Sequence, residues 1–258
     1  MSADGAAWPR GYFPCQYTKG QPTERKLTCF LGSKYPANAT VKCRIYMDGL
    51  EAKRHASATD TRWNDDQKTY YGQTYTVCFR DGYLRDLRHR FSPEAPMLTH
   101  LGVSSGDTGW VDESGQVQSF TVEQDGLVFT QVRVKKMMDK GHFYEKLYTF
   151  YPFHFVVTVL SPERFGVFSR AYFAQNCKYL DDRGNKADID GKGEAENVSS
   201  RNPDPKWYAA WNENWALSCV AVTPHTGLTY WDGGSMVLIY KVVGEGTARL
   251  SRMKPGAA

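Results

Sequence analysis

The chain has 258 residues, 41% hydrophobic and 14% aromatic, and its 32 basic and 28 acidic residues leave a net charge of +4. Intrinsic disorder needs the opposite balance and is excluded; no run of 18 apolar residues occurs, so no membrane-spanning helix and no membrane partner are expected. Basic residues are scattered apart from Arg85, Arg88, Arg90 and Lys135, Lys136, which is not the stripe of a dedicated nucleic-acid binder.

The sequence starts MSADGAAWPRGYF, without an apolar segment after a basic start, so no signal peptide is expected. Residues 1–39 are expected to form an N-terminal arm of one domain spanning residues 1–258. Cys15, Cys29, Cys43, Cys78, Cys177 and Cys219 are sparse, and a domain of this size does not need staples, so cytosolic thiols are expected. Three disulfides are the alternative for a secreted chain, where Asn38 and Asn197 would also stand in glycosylation triplets. There is no CxxC pair, and no zinc site is expected.

Turn chemistry dominates the rest of the chain. Asp48-Gly49, Asp81-Gly82, Asp125-Gly126, Asp190-Gly191 and Asp232-Gly233-Gly234 recur, joined by Asp139-Lys140-Gly141 and Asp182-Arg183-Gly184. Glycine supplies positive φ without steric cost, and Asp tolerates it or bonds its own backbone. Between these points, β-branched and aromatic runs predict strands over 40–47, 73–80, 127–137, 143–160, 165–174, 216–223 and 235–243. Residues 83–91 are the best helix candidate, with Leu84, Leu87 and Phe91 on one face. Residues 92–96, bracketed by Pro93 and Pro96, predict a loop, and residues 181–205 a long polar one. The fold class is therefore mostly β: an antiparallel β-sandwich, jelly-roll-like, with a few short helices.

Three groups of residues invite a chemical reading. The acidic stretch Asp181, Asp182, Asp188, Asp190, Glu194, Glu196 does not fit the spacing of a calcium loop, so a solvated loop is expected and no metal. His142, Tyr144, Tyr148, Tyr151 and His154 lie close together along 142–154, and all but Tyr151 share parity, with Arg133 across the Asp139-Lys140-Gly141 turn. Such a face suits β-elimination on an acidic polysaccharide, but tyrosine also tiles half-buried sheets, and no catalytic residue is assigned. Trp207, Trp211, Trp215 and Trp231 gather near the C-terminus as candidate interface aromatics. Nucleophile elbows and phosphate-cradling glycine loops do not occur.

Several segments, in order, resemble cypovirus polyhedrin, which forms the intracellular crystals that embed those viruses. They are VKCRIYMDGLEA (41–52), TYTVCFRDGYLRDLRHRF (74–91), RVKKMMDKGHFYEKLYTFYPFHFVVTVLS (133–161), NWALSCVAV (214–222) and LTYWDGGSMVLIY (228–240). The N-terminal part departs from that family's polar helical start, since Trp8-Pro9 and Pro14 oppose a long helix.

The resemblance implies a non-enzymatic structural protein, a homotrimer packed with virus particles into occlusion bodies in the cytoplasm of the infected cell. It implies no required cofactor, and a nucleotide association for which no residue here is assigned. Low net charge agrees with close packing of many copies. Complete alkaline titration of 16 Tyr, 6 Cys and the lysines would take the chain from +4 to about −34. Tyr70, Tyr71, Tyr75, Tyr144, Tyr148 and Tyr151 are accordingly the candidate pH-responsive contacts for alkaline dissolution. A jelly-roll capsid subunit is one alternative; a secreted carbohydrate-binding protein or polysaccharide lyase is another.

Overall fold

Runs of β-branched and aromatic residues, cut by Asp-Gly turns, leave the chain few options besides strands that pair with their neighbours. The computed structural model describes residues 15–19, 25–29, 61–90, 92–105, 116–126, 128–137, 143–160, 166–173, 177–189, 206–213, 216–221, 226–232, 236–243 and 245–252. Among these, all regular structure is strand, and all strand pairs are antiparallel. In chain order they are β1 (Cys15–Lys19), β2 (Arg25–Cys29), β3 (Arg62–Asn64), β4 (Thr69–Tyr71), β5 (Tyr75–Arg80), β6 (Tyr83–His89) and β7 (Ser92–Ser105). There follow β8 (Gln116–Asp125), β9 (Thr130–Met137), β10 (Phe143–Phe150), β11 (His154–Leu160), β12 (Gly166–Phe173) and β13 (Cys177–Asp181). The last are β14 (Lys186–Ile189), β15 (Trp207–Trp211), β16 (Ala216–Ala221), β17 (Thr226–Asp232), β18 (Met236–Val243) and β19 (Glu245–Arg252).

Two large sheets result. One has nine strands in the order β14-β13-β15-β16-β19-β11-β10-β9-β8, the other eight in the order β17-β18-β12-β7-β6-β5-β4-β3; β1 and β2 pair apart from both. The expected antiparallel, mostly β class is what the chain adopts. The two inner faces meet through aromatic rings. Phe79 of β5 meets Tyr148 of β10 edge-on at 5.0 Å, Tyr70 of β4 stacks on Phe150 at 5.0 Å, and Tyr75 lies 5.8 Å from Phe155. Trp63 of β3 stacks on Phe120 of β8 at 6.2 Å. Val77, Leu84, Val132, Val134 and Val157 fill the space between them, each almost wholly buried. Each such side chain contributes about 1.5–3 kcal/mol by leaving water.

Three local expectations are corrected. The expected helix 83–91 is a strand over its described part: β6 occupies 83–89, Phe91 lies outside the described residues, and the spacing of three between Leu84 and Leu87 comes from a bulge. Thr76 pairs with Arg88 and Cys78 with Arg85, so Asp86 and Leu87 together face Val77, with Asp86 at φ 51. The extra residue reverses the alternation and lets both leucines point into the core, which mimics a helical period. Residues 92–96 belong to β7 rather than to a loop; the prolines leave their mark as a register break, with Arg88 opposite Pro96 and His89 opposite Ser92. The start of 181–205 is a hairpin, β13–β14, turned by Gly184 at φ 80; residues 190–205 lie outside the described residues. The run 143–160 divides at residues 151–153 into two paired strands. The strand expected at 40–47 lies outside the described residues.

The Asp81-Gly82 turn behaves as its residues require. Arg80 and Tyr83 pair around it, and Asp81 and Gly82 take φ of 51° and 71°, the left-handed pair of a two-residue hairpin. A Cβ on Gly82 would also stand 2.7 Å from Val117 Cγ2 and 2.8 Å from Lys136 Cε. Backbone and packing therefore demand glycine independently. Gly82→Ala is expected to cost about 1–3 kcal/mol, measured as a lowered denaturant midpoint with an unchanged slope; a midpoint equal to wild type would contradict this account of the turn.

Candidate functional site

The strongest polar construction joins the two sheets. The Tyr75 hydroxyl, from β5, lies 2.7 Å from the Tyr151 carbonyl and 2.9 Å from the His154 carbonyl, at the β10–β11 turn of the opposite sheet. Its single proton is shared between them. Beside it, Gln73 N donates to Pro152 O at 2.8 Å and Gly72 N to Tyr75 O at 2.8 Å. Arg90 Nη1 donates to Gly72 O at 3.0 Å. A Cβ on Gly72 would lie 3.0 Å from Pro152 O, so glycine lets the two backbones approach.

This construction decides the role of the tyrosines. Tyr70, Tyr75 and Tyr148 are 1%, 3% and 1% exposed and lie between the sheets. That placement corrects their assignment as contacts between copies: phenols buried in one molecule's core do not reach a neighbour. Tyr71 is half-buried, donates to Gln67 Oε1 at 2.7 Å and lies under the Arg62 guanidinium. Tyr151, also half-buried, stacks on His154 with ring centres 4.7 Å apart. Tyr144 pairs with Lys136 in the β9–β10 register, and its side chain lies outside the described residues. Burial pushes the phenols of Tyr70 and Tyr75 well above the ordinary tyrosine range, and that of Tyr151 upward.

The proposed elimination face is not assembled. Because the turn at 151–153 reverses the chain, His154 lies on β11 with parity opposite to the buried Phe155 and Val157. Tyr148 points inward, whereas Arg133, whose cross-strand partner is Leu147, points outward. Arg133 is also engaged: Nε and Nη2 donate to Glu123, and Nη1 donates to Glu145. His142 lies outside the described residues.

The ladder Glu123–Arg133–Glu145 crosses β8, β9 and β10 on the outer face of the nine-stranded sheet. Sequence reasoning missed it because Glu123 is the unpaired residue of a bulge, between Val122 opposite Val132 and Gln124 opposite Gln131. The charge alternation in 121–125 and 133–135 was visible; the partner choice was not.

The tryptophans separate. Trp207 and Trp211 share the outer face of β15, both half-buried, with Ala209 between them, while Tyr208 and Ala210 point inward. Four strand residues place their Cα atoms about 13 Å apart. Exposed Lys178 pairs with Trp211 across β13–β15, and exposed Lys206 immediately precedes Trp207. Trp231 lies in β17, at the edge of the other sheet, and Trp215 outside the described residues. From the acidic stretch, Asp181 is buried and accepts from Arg183 N, Asn185 N and Asn185 Nδ2 at 2.9–3.0 Å, so it organises its own turn.

No family model and no curated protein matches the sequence. Among solved structures, HI1317 is similar with a TM-score of 0.47 and 7% identity over 72% of this chain and 91% of its own. Slr1438 from Synechocystis sp. PCC 6803 gives 0.39 and 8%, over 75% of this chain and 95% of its own. An alpha-galactosidase from Lactobacillus brevis gives 0.41 and 9%, over 75% of this chain and 40% of its own. None of these likenesses carries an argument about activity.

Two outcomes follow from the Tyr75 corner. Tyr75→Phe leaves the part-buried Tyr151 carbonyl without this donor, while His154 O keeps Tyr151 N at 2.8 Å, and is expected to cost about 0.5–1.5 kcal/mol, or a thermal midpoint lower by about 2–4 °C per kcal/mol, followed by circular dichroism. The second concerns pH. The Tyr70 phenol stays neutral in the folded chain at a pH where it ionises in the unfolded one, so the unfolded state holds fewer protons above about pH 10. Its contribution is complete below that pH and is lost as pH rises toward the folded value, at up to about 1.4 kcal/mol per unit. In Tyr70→Phe this share of the alkaline loss should vanish; identical stability slopes above pH 10 in urea titrations of both proteins would refute it.

Proposed function

We propose that this chain is a self-assembling structural protein, the matrix subunit of a viral occlusion body. The observation that carries the reading is the outer face of the nine-stranded sheet. It presents the indoles of Trp207 and Trp211 and the Glu123–Arg133–Glu145 ladder on strands of one rigid sheet. Aromatic anchors with fixed charges on a rigid support are what specific association uses. The segments resembling cypovirus polyhedrin add support, because they include β5, β10 and β11, whose rings pack against one another in the core. On this reading the partners are further copies, as homotrimers in a lattice, and virus particles; the setting is the cytoplasm of an infected cell.

Alkaline release then has two contributions. Exposed groups titrate and subunits repel, while the buried phenols resist ionisation until the sandwich itself opens. Expression of the chain alone is expected to yield micrometre-scale intracellular crystals by electron microscopy, insoluble at pH 7 and dissolving as pH passes about 10. A dilute monomer at neutral pH, without crystals or association, would overturn the proposal.

A second reading, a carbohydrate-binding protein, is favoured by one feature: Trp207 and Trp211 flank the small Ala209 on one strand, with Lys178 and Lys206 at hand. Titration with oligosaccharides separates the two readings. A change in tryptophan fluorescence that is lost in Trp207→Ala/Trp211→Ala, without assembly, supports the sugar reading.

A further inference from the structure

The pair β1–β2 stands apart from both large sheets. An isolated two-stranded hairpin is marginal in water, and it persists when something beyond its own ladder holds it. Its register places Cys15 opposite Cys29, followed by Gln16–Thr28, Tyr17–Leu27, Thr18–Lys26 and Lys19–Arg25. We infer that Cys15 and Cys29 form a cross-strand disulfide that staples this hairpin.

Directly opposite residues of an antiparallel pair have Cα atoms about 4.5 or 5.5 Å apart, depending on whether the pair exchanges hydrogen bonds. Both separations fall in the range of about 4.4–6.8 Å that a disulfide spans. Opposite positions also share one face of the ladder, here together with Tyr17 and Leu27. The cysteines occupy the pair farthest from the connection at residues 20–24, so the bond closes a ring that contains both strands whole. No other described cysteine has such a partner: Cys78 stands opposite Thr69 and Arg85, Cys177 opposite Ile189, and Cys219 opposite Tyr208 and Leu250. Cys78 and Cys177 form no disulfide and lie in different sheets.

The chemistry is thiol–disulfide exchange with a small-molecule disulfide such as oxidised glutathione. One cysteine thiolate attacks it, forming a mixed disulfide and expelling one glutathione thiolate. The opposite cysteine thiolate then attacks the protein sulfur and expels the second. Two protein thiols lose two electrons and two protons in all, and the small disulfide becomes two thiols.

The test uses the full chain without mutation. After incubation with oxidised glutathione, remaining thiols are alkylated and the protein is digested with trypsin without reductant. Peptides 11–19 and 27–34 are expected joined, lighter by two hydrogens than their sum, and separated by reduction. Recovery of either peptide alkylated, carrying glutathione or joined to a different cysteine peptide overturns the pairing. Amide exchange supplies the second measurement: residues 16–19 and 25–28 should exchange at least about tenfold more slowly in the oxidised than in the reduced chain. Equal exchange in the two forms would show that the bond, if made, staples nothing.

Discussion

The Tyr75 hydroxyl, shared between the Tyr151 and His154 carbonyls, is where two large sheets acquire one mutual position. Apolar attraction between sheet faces is non-directional, and rings can slide over rings at little cost. A hydrogen bond cannot slide, because displacement parts the buried Tyr75 hydroxyl from the Tyr151 carbonyl. The Gly72–Gln73 corner reinforces it by bringing its backbone against Pro152. Once that corner is held, the succession Tyr70–Phe150, Tyr75–Phe155 and Phe79–Tyr148 follows from the pleat of each strand.

Bulges do the complementary work of aiming side chains. In β6 the extra residue turns both Leu84 and Leu87 inward and leaves Asp86 near Arg80 and Arg88. In β8 the unpaired Glu123 is freed to reach Arg133 two strand positions from its ladder neighbours. Both devices spend a ladder hydrogen bond to redirect a charge. The outer face thus carries ordered ion pairs, while the inner face stays aromatic.

This division bears on how the protein meets alkali. The phenols of Tyr70 and Tyr75, which burial makes resist ionisation, lie inside the molecule. The fold itself therefore holds these core phenols neutral in alkali.

The sequence by itself determined the antiparallel β class and the turns at Asp81-Gly82 and Asp182-Arg183-Gly184. Asp81-Gly82 announces a two-residue hairpin because only certain residues tolerate positive φ, and that is a local property. The inward alternation of Val132, Val134 and Lys136 is likewise local, although it does not reveal that one of them is a lysine set against the Tyr83 ring. Tertiary structure decided the rest. Leu84 and Leu87 suggest a helix until pairing with β5 shows the bulge in β6. Residues 143–160 look like one run until Pro152 is seen meeting Gln73, and Trp231 stands near Trp207 and Trp211 in sequence but on a strand of the other sheet. Tyr70 and Tyr71 are chemically identical neighbours, and only the direction of the opposing sheet makes one core and the other surface. Register, bulge position and the choice of facing sheet are relations between distant segments, so no window of sequence contains them.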